Sequence, residues 1–113
     1  MDIQSAPVIV TKTAEGFHVA VKGPVHTNVQ WLEQEFARVV AAKPRHVDLD
    51  LGETDYVSSL GVGLFVKFRR GVTDAGGTLR VTSIRKKVFS TFRFARLDEL
   101  FKIEAGVVME DAR

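Results

Sequence analysis

The segment DLDLGETDYVSSLGVGLFVKFRR, Asp48 to Arg70, constrains the fold of this chain more than any other. An apolar run at Val47, Leu49 and Leu51, bounded by turn-forming residues, reads as a buried strand. Gly52 is expected to end it, with a short acidic loop after it. Ser58-Ser59 follows, and from Leu60 to about Asp74 the apolar residues recur at helical spacing. Strand, loop, serine pair and helix, in that order, put two hydroxyls at a helix N-terminus. There the unpaired backbone N–H groups and the helix dipole favour an anionic group. Ser58 suits the N-cap, where serine in place of alanine is worth about 1 kcal/mol. Ser59 is then the first helical residue, and a phosphate on it would add charge beside free N–H donors.

The flanking sequence repeats this alternation. Residues 1–6 read as a loose tail and 105–113 as another, enclosing one domain at 7–104. Val8-Ile9-Val10 and Phe17-Val19-Val21 read as two strands around the turn Ala14-Glu15-Gly16, and Gly23-Pro24 stops the second. A helix is expected from Thr27 or Asn28, with Thr27 and Gln30 as a capping box and Pro44 as its close. Val29, Leu32, Phe36, Val39 and Val40 form its buried stripe, and Trp31, Glu35 and Arg38 fall opposite. After the serine-headed helix, Ala75-Gly76-Gly77 turns into a strand at Thr78–Thr82. Residues 84–96 suit a third helix, with Ile84, Val88, Phe92 and Ala95 inward. Leu97–Leu100 reads as one more turn and Phe101–Ile103 as a short edge strand. The order β-β-α-β-α-β-α, with that last strand, predicts an α/β domain: a mixed, mainly parallel sheet of four to five strands with helices packed on it.

Several chemistries are excluded by what the chain lacks. It has no cysteine, hence no disulfide and no thiolate nucleophile. A net charge of +2 falls short of the dense basic stripe of a nucleic-acid binder. No apolar run reaches transmembrane length and no signal-peptide pattern opens the chain, so a cytoplasmic location is expected. A nucleophile elbow needs glycine two residues before its serine, where Tyr56 and Val57 stand instead. In that hydrolase class the histidine follows the serine, whereas His18, His26 and His46 all precede it. A phosphate-binding loop needs glycine directly before its lysine, and Lys67 follows Val66. Gly61-Val62-Gly63 lacks the third glycine of a dinucleotide fingerprint. The three histidines have no metal-ligand spacing. No catalysis, metal or cofactor is therefore expected.

A docking face can be sought from angles alone. With Leu60 at zero and about 100° per residue, Leu60, Gly61, Leu64, Phe65, Phe68, Gly71 and Val72 share one arc that should pack on the sheet. Val62, Gly63, Val66, Lys67, Arg69 and Arg70 take the remainder. Two valines one turn apart beside a glycine exceed the needs of a solvated face. Ser58, Ser59, Val62, Gly63, Val66, Arg69 and Arg70 are thus the expected partner-binding set, with Trp31 as a further candidate. The bland alternatives stay open: the valines cover a neighbouring loop or a second copy of the chain, as in a homodimer, and Trp31 folds over the sheet edge.

The residues VDLDLGETDYVSSLGVGLFVKFRRGVTDAGGTLRVTSIRKKVFSTFRFARLDELFKI, within a likeness spanning about 8–103, resemble the STAS domain of bacterial anti-sigma factor antagonists. That family has an apolar strand ending in Asp-Leu, then Asp-Ser-Ser/Ala-Gly-Leu at a helix start. A Gly-Gly-x-Leu-x-Leu/Val strand and a Leu-Asp-x-Leu-Phe segment follow. The resemblance implies that Ser59 takes the phosphoserine position and Gly61 the glycine. It implies an anti-sigma factor that is also a serine protein kinase as partner, bound by the unphosphorylated antagonist and released on phosphorylation. The chain departs from the pattern at Ser58, where the family has Asp, and at Gly23-Pro24-Val25-His26, where it often has Gly-Glu-Leu-Asp. Two other roles fit the same resemblance. One is a STAS subunit of a transporter complex, of the lipid ABC transporter or sulfate permease type. The other is a STAS module that binds a small ligand or nucleotide.

Overall fold

The computed structural model describes residues 8–26 and 29–110. Alternation of side chains decides which way each strand faces. Val19 and Val21, Val47, Leu49 and Leu51, and Val81 point to one side and are essentially inaccessible. Their neighbours His18, Asp48, Asp50 and Arg80 form a polar opposite face, where Asp48 meets His46 at 2.7 Å and Arg80 at 3.5 Å. These strands are β2 (Gly16–Val25), β3 (His46–Val57) and β4 (Thr78–Arg85), and β1 (Val8–Lys12) and β5 (Val108–Met109) flank them. The five lie side by side in sequence order. β1 is antiparallel to β2, because Thr13 N donates to Gly16 O at 2.8 Å and closes a tight turn between them. All other pairs are parallel, each reached through a crossover, as parallel neighbours require.

The helices are α1 (Gln30–Ala41), α2 (Ser59–Asp74), α3 (Lys86–Phe94) and the single turn α4 (Leu97–Leu100). A chain of aromatic rings joins them: Phe36 to Phe65 at 5.6 Å, Phe65 to Phe92 at 5.9 Å, and Phe92 to Phe101 at 5.3 Å. Phe65 of α2 thus meets α1 on one side and α3 on the other, and α2 is the middle helix of the layer. Each fully buried phenylalanine or leucine here contributes about 1.5–3 kcal/mol.

The α/β class and the mixed sheet agree with the sequence reading, but several boundaries do not. β2 runs through Gly23-Pro24 to Val25, with register shifts against β3 on both sides of Lys22. Gly23 takes φ 78 there, and a bulge tolerates the proline that lacks an N–H. β3 does not stop at Gly52 but continues through the expected acidic loop to Val57, and Thr54, fully buried, donates to Val21 O at 2.6 Å. Ile84 belongs to β4 rather than to α3, and Ala95 is exposed. The last strand is Val108–Met109, in parallel with Ile84–Arg85, and not Phe101–Ile103. The expected capping box rests on Thr27, which lies outside the described residues with Asn28; α1 begins at Gln30.

Candidate functional site

Strand β3 delivers the chain to the start of α2, where Ser58 ties three elements together. Its N–H donates to Val25 O of β2 at 2.8 Å. Its hydroxyl donates to the His26 carbonyl at 2.7 Å and accepts from Gly61 N at 3.1 Å. Ser58 is therefore the N-cap, in extended backbone at φ −75, and is 9% exposed. Gly61 sits one turn into the helix with its Cα against the sheet. A Cβ there would lie 2.7 Å from Val25 Cγ1 and 3.0 Å from Val57 Cγ1, so glycine is what lets α2 approach so closely.

Ser59 differs in every respect. It is the first residue of α2, it is exposed, and its hydroxyl makes no hydrogen bond among the described residues. The first turn of α2 carries no acidic side chain, so the positive end of the helix is not neutralised from within. Around Ser59 lie Leu60, 56% exposed, and Tyr56, 47% exposed, whose ring meets that of His26 at 5.1 Å. Asp55 is exposed on the strand just before. Apart from Asp55, the exposed side chains next to Ser59 in the chain are aromatic and aliphatic.

The phase of α2 differs from the angular reading. The exposed stripe is Ser59, Leu60, Gly63, Lys67, Arg70 and Asp74. Leu60, expected to pack on the sheet, is on the outside. Val62 and Val66, expected outside, are half-buried and packed against the core, and Arg69 is half-buried. The cause is the position of α2 between α1 and α3, which covers its flanks and widens the buried arc. Of the expected set, Ser59, Gly63 and Arg70 share the open stripe, while Ser58 and the two valines turn inward. A Cβ at Gly63 would meet nothing within 4 Å, so bare backbone is exposed between Leu60 and Lys67. Lys67 bonds to Glu33 of α1 at 3.0 Å and pins the two helices together. Trp31 is half-buried against the core rather than projecting from it. The exposure of Leu60 and Tyr56 was missed by the sequence reading; no periodicity marks residues at a strand end and a helix start.

An α/β domain of this topology, with a serine heading the central helix, defines a class of small non-repetitive modules, and the sequence places the chain within it. The STAS domain model matches residues 8–108, and the chain belongs to that family. No curated protein sequence matches it. Among solved structures, an anti-sigma factor antagonist from Mycobacterium paratuberculosis superposes with a TM-score of 0.77 at 22% identity, over 86% of this chain and 83% of that one. The anti-sigma factor antagonist SpoIIAA in its unphosphorylated form gives 0.70 at 14% identity, over 95% and 90%. The phosphorylated form of SpoIIAA, a Bacillus cell fate determinant, gives 0.66 at 14% identity, over 95% and 93%. At these identities the likeness is one of fold. Among the described residues no helix is long and apolar enough to cross a membrane, and no group of histidine and acidic side chains is arranged to hold a metal ion.

Proposed function

We propose that this STAS domain is an anti-sigma factor antagonist-type regulator that works by partner switching in the cytoplasm. Unphosphorylated, it binds an anti-sigma factor that is also a serine kinase; phosphorylated on Ser59, it releases it. The observation that carries this reading is the division of labour between the two serines. Ser58 is buried and spends both hydrogen-bonding capacities on the fold, while Ser59 is exposed at the helix N-terminus and its hydroxyl has no hydrogen bond among the described residues. A phosphate on Ser59 would sit at the positive end of the helix with no acidic residue in the first turn, on a side chain that is already exposed. It does add about −1.5 to −2 charges beside Leu60 and Tyr56, on a surface the partner would otherwise desolvate. The switch then needs no change of fold, and a loss of about 2.8 kcal/mol is a hundredfold in affinity. Solved structures of SpoIIAA in both phosphorylation states share the fold, which supports the same reading. The chain itself performs no chemistry in this scheme.

The test is incubation of the purified protein with ATP and a candidate anti-sigma kinase, followed by mass spectrometry of the peptide holding Ser58 and Ser59. Phosphate on Ser59, a stable complex with Ser59→Ala and a weakened one with Ser59→Asp are expected. Phosphate on Ser58 alone, or equal binding of both variants, would overturn the proposal.

A further inference from the structure

The outer edge of β4 is paired over only part of its length among the described residues. β5 pairs with β4 only through Ile84–Val108 and Arg85–Met109. From Thr78 to Ser83, β4 is paired to β3 on one side and, among the described residues, has no strand on the other. Within a parallel ladder the backbone groups of successive residues turn to opposite sides, so this stretch turns N–H and C=O groups outward that have no partner among the described residues. Soluble proteins usually blunt such an edge with a covering element. Here it floors an open groove of 570 Å³ instead, with Arg69 and Thr73 of α2 on one bank and Phe101, Lys102 and Val107 on the other.

Two features say what the groove takes. The first is β5 itself, which lies parallel to β4 in the next strand position along the same edge. An extended segment in the groove would continue the line that β5 already occupies. The second is charge. Arg69, Arg80 and Lys102 line the groove against the single acid Glu104. Arg80 is held by Asp48 at 3.5 Å, while Arg69 and Lys102 have no ion-pair partner among the described residues. Arg69 lies on the helix side of the sheet and Arg80 on its polar face, so side chains alternating along an added strand would meet a cation on either face.

We propose that this edge accepts an extended acidic segment of a partner protein as an added strand, paired by its main chain to Thr78–Ser83 and by its carboxylates to Arg69 and Lys102. Main-chain pairing supplies affinity and the flanking side chains select the sequence, as in other strand-addition interfaces. The interaction does not depend on the state of Ser59, so the partner can be held while the serine site switches.

The experiment is an NMR titration of the whole ¹⁵N-labelled chain at low salt with the acetylated, amidated hexapeptide (Glu-Val)₃ and its counterpart (Lys-Val)₃. The acidic peptide is expected to shift the β4 amides and slow their hydrogen exchange, and to bind about tenfold or more tightly than the lysine peptide. Arg69→Glu with Lys102→Glu should abolish binding, and Ser59→Asp should leave it unchanged. If the double variant loses its fold by circular dichroism, Lys102→Glu alone decides, by a weakened affinity. The proposal is overturned if shifts fall away from β4, if the two peptides bind alike, or if inorganic phosphate reproduces the response. It is overturned equally if sedimentation shows the chain dimerising with these amides already protected, because a second copy then owns the edge.

Discussion

Replacing Ser58 by alanine removes two hydrogen bonds made by one oxygen, to Gly61 N at 3.1 Å and to the His26 carbonyl at 2.7 Å. Loss of the cap costs about 1 kcal/mol. Loss of the bond to His26 adds about 0.5–1.5 kcal/mol, at the upper end because the site is nearly closed to water. The sum is about 2 kcal/mol, a large share of the stability of a domain this small. With a urea m-value of about 1–3 kcal/mol/M, the unfolding midpoint should fall by roughly 1 M at unchanged m. Ser59→Ala, one residue along, deletes an exposed hydroxyl with no hydrogen bond among the described residues and should stay within about 0.5 kcal/mol of the wild type. The assay is equilibrium urea unfolding followed by Trp31 fluorescence and by far-ultraviolet circular dichroism. A Ser58→Ala midpoint indistinguishable from wild type, or a Ser59→Ala midpoint that falls as far, would refute the division of roles between the two serines.

Gly63→Ala should stabilise the free domain by up to about 1 kcal/mol, because its Cβ meets nothing, and a lowered melting temperature would contradict that. Gly61→Ala gains the same helix propensity but places a methyl 2.7 Å from Val25 Cγ1; thermal unfolding should show a net loss of about 1 kcal/mol, and a rise would mean that α2 can lift off the sheet without cost. Leu60→Asp should leave cooperative unfolding intact and weaken capture of the proposed kinase partner, whereas Val66→Asp should destabilise the fold itself; the reverse pattern would restore the angular reading of α2. Burial disfavours the charge on Asp50, but the Ser83 hydroxyl, the Gly52 N–H and His18 outweigh it and hold its carboxyl below the ordinary value. A depressed carboxyl contributes stability that is complete above its unfolded pKa of about 3.9 and is lost as pH falls through the lower folded value. Ser83→Ala should therefore destabilise at pH 7 and lose that disadvantage on acidification below about pH 4; urea midpoints whose difference is independent of pH would sink the assignment.

The order of elements was written in local pattern. Alternation at Val19–Val21 and Val47–Leu51, helical spacing over 60–74 and the turn at Gly76-Gly77 are short-range signals, and they suffice for the α/β class and for Ser58 as a cap. The ends of strands were not local. Gly52 and Gly23-Pro24 look like breaks, yet β3 and β2 pass through them because each is the other's neighbour and the ladder outweighs the propensity of single residues. The pairing of Val108–Met109 with β4 is likewise set by a distant strand, and the two residues carry no pattern long enough to see. The face of α2 is the clearest case. Its sequence fixes which residues lie 100° apart but carries no zero of angle, and Leu60 was a natural but mistaken origin. Only the packing of Phe65 between Phe36 and Phe92 made α2 the central helix, turning Val62 and Val66 inward and leaving Ser59, Leu60 and Gly63 open. A chain can specify its own periodicity residue by residue; which side of a helix meets water depends on how many neighbours it has, and that is a property of the assembled layer.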